Sequence, residues 1–89
     1  MKEEGETRVS SYYVYVLKCI DNTYYVGITN DLNARIKKHN EGKGAKYTKG
    51  RGPVELHYFE QCANRSEASK REYRLKRLTH QEKKLLVRT

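Results

Sequence analysis

Two short runs of tyrosine and β-branched residues, separated by three turn-forming residues, constrain this chain more than any other feature. Residues 12–20 (YYVYVLKCI) and 24–29 (YYVGIT) flank Asp21-Asn22-Thr23. Such composition suits a pleated, half-buried surface, and the intervening polar residues suit a tight reversal, so the pair reads as a β-hairpin. A glycine inside the second run, Gly27, costs backbone entropy and packs nothing, so the strand must need the missing side chain. A three-residue loop at Asp21, Asn22 and Thr23 places Tyr15, Tyr25 and Gly27 on one face, with Asn22 the best carrier of the bulge-like conformation. On that reading Gly27 leaves room for a phosphate or a water beside the Tyr25 phenol.

The rest of the chain completes an α+β domain of order β-β-α-β-α-α, with a small three-stranded antiparallel sheet and flanking helices. Asn30 or Asp31 caps a helix that runs to about Glu41 and stops at Gly42. Residues 42–53 (GKGAKYTKGRGP) hold four glycines, four basic residues and no acid, and read as a loop. Residues 54–61 (VELHYFEQ) supply a third strand. Asn64 to Glu67 and Thr79 to Glu82 both resemble capping boxes, opening a helix that reaches Leu78 and a last short one. Residues 1–10 read as a disordered polar leader and residues 11–89 as a single domain.

Charge narrows the partner. Nineteen Lys and Arg stand against eleven Asp and Glu, for a net charge of +8, and removing residues 1–8 raises it to +9. A polyanion, most simply nucleic acid, is the expected partner, because neutralising phosphates releases counterions whatever the base sequence. Cys19 and Cys62 lie 43 positions apart without a Cys-x-x-Cys pair, which argues against structural zinc and for reduced thiols. No run approaches the roughly 18 apolar residues of a membrane span, so no membrane partner is expected and the cytoplasm is the expected compartment.

Some polar residues fall on the wrong side of their helices. With Leu32 and Ile36 marking the inward stripe of the first helix, Arg35 lies about 60° from Leu32 and His39 about 20°. On the second helix, Glu72 lies between the inward residues Ala68 and Leu75. A carboxylate facing inward costs several kcal/mol unless paired or metal-bound, so Glu72 is either the partner of Arg35 or a metal ligand.

Taken together, Tyr13-Val14-Tyr15, Tyr25-Val26-Gly27, Arg35, His39 and Glu72 resemble the GIY-YIG nuclease family, nearest to its small stand-alone bacterial members. The family opens with two short motifs on adjacent strands, followed by an Arg and a His or Tyr on the next helix and a metal-binding Glu on a later one. The resemblance covers residues 12–78. It implies a metal-dependent nuclease, with one Mg²⁺ or Mn²⁺ at Glu72, Arg35 forked onto a phosphate oxygen, and a water activated by Tyr15 or Tyr25 with help from His39. It implies products with a 5′ phosphate and a 3′ hydroxyl, and DNA ahead of RNA as substrate. Lys43, Lys46, Tyr47, Lys49 and Arg51 would clamp the strand. Tyr13 departs from the first motif's glycine, and no Asn follows Glu72 as it does in many members, which leaves phosphate positioning to the 42–51 loop. The alternatives are a nucleic-acid-binding module that keeps the fold with weak catalysis, and an adaptor that works with a protein partner.

Overall fold

A computed structural model describes residues 11–87; the expected leader lies outside the described residues. Strands β1 (Tyr12–Lys18), β2 (Tyr24–Thr29) and β3 (Glu55–Cys62) form one antiparallel sheet in the order β2-β1-β3, with helices α1 (Leu32–Asn40), α2 (Arg65–Lys76) and α3 (His80–Lys84). The element order is the one expected.

The hairpin register differs from expectation by two residues. Tyr15 pairs with Gly27 and Leu17 with Tyr25. The Cys19 N–H bonds the Thr23 carbonyl at 2.8 Å, so the loop is Ile20-Asp21-Asn22 rather than Asp21-Asn22-Thr23. Asn22 takes the left-handed conformation, φ 66°, that a three-residue hairpin loop needs at its last position. A shift of two preserves the pleat, so Tyr15, Tyr25 and Gly27 still share a face.

The sheet is covered on both sides, which explains why β1 is apolar without alternation. On one face Val14, Val16 and Val26 pack with Leu75 of α2; on the other Tyr15, Leu17, Cys19 and Val54 pack with Leu32 and Ile36 of α1. An irregularity in β3 between the partners of Val16 and Leu17 lets Tyr58 face α2 while Leu56 faces α1. Arg71 forks onto Glu60 of β3, with bonds of 2.7 and 3.0 Å, and Tyr58 donates to the same carboxylate. A planar fork of this kind fixes the rotation of α2 about its axis as well as its position.

The helix caps follow the sequence with one exception. Asp31 accepts from the Ala34 N–H, and Thr79 with Glu82 forms the full reciprocal box. Asn64 accepts from the Glu67 N–H, but the Glu67 carboxylate turns to Lys70 instead of completing a box. Both cysteines are free thiols, with Cys19 buried and Cys62 half-buried. Among the described residues no helix is long and apolar enough to cross a membrane.

Candidate active site

The site forms where α1 lies over the tyrosine face of the hairpin. Tyr15, from the central strand, is 1% exposed, and its hydroxyl meets His39 Nε2 at 2.9 Å. His39 is also 1% exposed and is the buried residue of α1, as its place beside the Leu32–Ile36 stripe requires. Its other ring nitrogen, Nδ1, lies 2.7 Å from Thr48 Oγ1 in the basic loop. Thr48, likewise buried, donates its one proton to the Ala45 carbonyl at 3.1 Å. With its proton placed there, Thr48 accepts from Nδ1–H, and the hydrogen-bond network assigns the imidazole proton to Nδ1. Nε2 is left with a lone pair, and it accepts the phenol proton of Tyr15. The result is a directed chain, Tyr15 O–H to His39, His39 N–H to Thr48, Thr48 O–H to the Ala45 carbonyl.

The charges around this chain agree with that direction. Burial, reinforced by the nearby Arg35 cation, pushes His39 down to about 4, so the ring is neutral near pH 7. Burial pushes the Tyr15 phenol above its ordinary value; hydrogen bonding to Arg35 pulls the other way, and Tyr25 and Glu72 add smaller upward pushes. The Arg35 guanidinium also donates to the Gly44 carbonyl at 3.3 Å, which ties α1 to the loop that follows it.

Two glycines shape the site by close packing. A Cβ on Gly27 would stand 2.6 Å from the Tyr15 hydroxyl oxygen and 2.8 Å from Cζ. The space cleared in β2 is filled by the Tyr15 ring, which corrects the expectation that it holds a phosphate or a water. Gly44 does the same for the imidazole, since a Cβ there would stand 2.4 Å from His39 Nδ1.

Tyr25 borders the pair, its ring centroid 5.1 Å from His39 and 6.4 Å from Tyr15. Tyr47 stacks on Tyr25 at 5.8 Å and 30°, and Arg51 lies over the Tyr47 ring at 4.5 Å. Arg51 is held in turn by Asp21 of the hairpin loop, with 2.6 Å between nitrogen and oxygen. Lys43, Lys46 and Lys49 are exposed on the same loop.

Glu72 comes from the other side. It lies between Ala68 and Leu75, the buried residues of α2, and is half-buried itself. Its ion pair is with Lys76, one turn on, at 3.3 Å. It does not pair with Arg35, which removes one of the two roles open to it from the sequence. Four expected site residues thus gather between α1 and the hairpin, Arg35 and His39 from the helix and Tyr15 and Tyr25 from the strands, while Glu72 acts on Tyr15 through its charge.

Sequence reasoning missed Thr48, Gly44 and Asp21. Thr48 had a signal, as a short uncharged side chain able to bond His39 within an otherwise basic loop. Gly44 was hidden among glycines that do serve turns, Gly42 and Gly50, both at positive φ.

Comparison with known proteins identifies the family. A family model described as the GIY-YIG catalytic domain matches residues 11–85. A UPF0213 protein of Clostridium perfringens is 57% identical over 75 residues, covering 84% of this chain and 81% of that protein. UPF0213 protein YazA of Bacillus subtilis is 50% identical over 78 residues, covering 88% and 79%. The solution NMR structure of UPF0213 protein BH0048 from Bacillus halodurans superposes with a TM-score of 0.51 at 46% identity, covering 82% of this chain and 78% of that one. That of EF2693 from E. faecalis gives 0.57 at 42% identity, covering 83% and 79%. With three-quarters or more of each chain shared and the tyrosine-bearing strands inside the matched span, this chain belongs to the GIY-YIG family, alongside the UPF0213 proteins.

Proposed function

We propose that this domain is a divalent-metal-dependent endonuclease that hydrolyses phosphodiester bonds of DNA. The observation that carries the reading is the directed chain from Tyr15 through His39 and Thr48 to the Ala45 carbonyl, set beside the Arg35 guanidinium. A binding module needs only basic residues; a buried neutral imidazole aimed at a buried phenol serves proton transfer. Tyr15 orients the attacking water and passes a proton to Nε2, while Thr48 keeps Nδ1 protonated so that Nε2 can receive it. Arg35 forks onto a non-bridging phosphate oxygen and stabilises the charge that builds there. Tyr25 and Tyr47 wall off the relay, and Lys43, Lys46 and Lys49 hold the strand through its phosphates.

Among the described residues no group of three or more His, Cys, Asp or Glu could cage a metal. Glu72 offers a single half-buried carboxylate whose partner, Lys76, is 56% exposed and free to leave. One carboxylate fits Mg²⁺ or Mn²⁺, which keep most of their hydration shell and need few protein ligands. Held there, the ion would supply Lewis-acid stabilisation of the phosphate and the leaving 3′ oxygen.

The test is incubation of the protein with structured DNA and RNA substrates in Mg²⁺, Mn²⁺ or EDTA, beside Glu72→Gln. Cleavage to 5′ phosphate and 3′ hydroxyl, lost in EDTA and in Glu72→Gln, is expected. Glu72→Gln should keep its affinity for DNA and nearly all of its thermal stability, because an i,i+4 helix pair contributes only about 0.3–0.5 kcal/mol. Tight binding by the wild type without cleavage of any substrate would overturn the enzyme reading in favour of a binding module.

A further inference from the structure

A cavity of about 340 Å³ opens beside Tyr15, lined by Tyr13, Asn30, Asp31, Leu32, Asn33 and Phe59. Tyr13 lies two residues before Tyr15 on β1 and so projects from the same face. Phe59 is the residue directly opposite Tyr15 on β3, and Leu32 packs in the Tyr15 cluster. The cavity is thus the next space along the sheet from the relay.

Its lining has a consistent chemistry. The Tyr13 and Phe59 rings meet edge to face, 6.1 Å apart at 65°, and form aromatic walls. Asn30 and Asn33 are exposed, and each amide can both donate and accept. No Lys or Arg lines the space, and Asp31, whose carboxylate accepts from the Ala34 N–H, is among the lining residues. A phosphate would be repelled there. A flat, uncharged ring with donors and acceptors at its rim would be held by stacking and by the amides. Tyr13, which supplies one wall, stands where the family's first motif has glycine, and the relay makes no use of it.

We infer that this cavity takes one unpaired nucleobase of the substrate strand, next to the phosphate presented to Tyr15 and Arg35. The inference rests on the nuclease reading and deepens it by naming the substrate class: DNA with an unpaired base at the cleavage position, as in a single strand, flap or bulge. A base inside a continuous duplex is stacked on both sides with its pairing edge occupied, and cannot enter without being extruded.

The experiment is binding in EDTA, where cleavage plays no part. 2-Aminopurine is moved stepwise through a single-stranded DNA oligonucleotide, and a blunt duplex of the same sequence serves as reference. One position should change its fluorescence on binding to the wild type, and Tyr13→Ala should abolish that change. Asn33→Ala, at an exposed position where folding is not at stake, should weaken single-strand binding by about tenfold while leaving duplex binding unaltered. Equal fluorescence changes in wild type and Tyr13→Ala, or unchanged single-strand affinity in Asn33→Ala, would overturn the pocket. These binding effects without cleavage of any substrate in Mg²⁺ or Mn²⁺ would support the base pocket and refute only the nuclease reading.

Discussion

The relay depends on Thr48 more than on any other residue outside the matched motifs. Thr48→Val keeps the shape of the side chain and deletes its hydroxyl. Two hydrogen bonds go with it, the 2.7 Å contact from His39 Nδ1 and the 3.1 Å bond to the Ala45 carbonyl. His39 is 1% exposed, so its Nδ1–H would be left dry and unpaired, at a cost of about 1–3 kcal/mol. The half-buried Ala45 can recover part of its loss from water, so the total is about 2–3 kcal/mol, a fall of roughly 10–20 °C in thermal midpoint for a chain of this size. The imidazole can escape by moving its proton to Nε2, but Nε2 then donates to Tyr15 and can no longer accept from it. Cleavage should therefore be lost along either route. The assay is thermal denaturation combined with a ¹H–¹⁵N correlation that reads which ring nitrogen of His39 carries the proton. Thr48→Ser is the control; it gives up a buried methyl at about 1 kcal/mol and should keep the Nδ1–H tautomer and the activity. A Thr48→Val protein that melts with the wild type and shows Nδ1 protonated would refute the directed chain.

Two further outcomes follow from the same geometry. Gly27→Ala sets a methyl 2.6 Å from the Tyr15 oxygen, and because that ring is buried and bonded to His39 it cannot swing clear; a loss of about 1–3 kcal/mol and a collapse of cleavage are expected, and a variant of wild-type stability and activity would show that the strand yields instead. The folded chain holds His39 at about 4 against an ordinary 6.5, so between those values the unfolded chain binds a proton that the folded chain refuses, and stability falls as the pH falls. About 2 kcal/mol should disappear between roughly pH 7 and pH 5; a His39 imidazole resonance that titrates near its ordinary value would contradict this.

Much of the site was legible because two of its determinants are periodic. The helix wheel turns His39 inward whatever lies around it, and the pleat puts Tyr15 and Tyr25 on one face for any hairpin register of the right parity. The loop's position is not legible from Asp-Asn-Thr alone, because the left-handed position belongs to its middle residue. Once Asn22 occupies the third loop position, Ile20 must be the first, and Cys19 must face Thr23. The partner of Glu72 was not legible. The wheel shows that the carboxylate turns inward, but not that Lys76 can reach it from one turn on while Arg35 is held by the carbonyl of Gly44. The meaning of Gly27 and Gly44 was also out of reach, since each is fixed by a ring arriving from another element.

The same burial that builds the relay also restrains it. A phenol raised above its ordinary value and an imidazole lowered to about 4 form a pair that holds its proton on oxygen, so Tyr15 is a weak acid and His39 a weak base in the free protein. Arg35 contributes to that restraint by opposing positive charge on His39. A phosphate bound to Arg35 would reverse this effect, because its negative charge offsets the guanidinium and favours an imidazolium nearby. Proton acceptance by His39 would therefore become easier with a phosphodiester in place, and the basic loop proposed to hold phosphates is the loop that carries Thr48. On the nuclease reading, binding and base strength would be coupled through a single cation, and turnover would be tied to an occupied site.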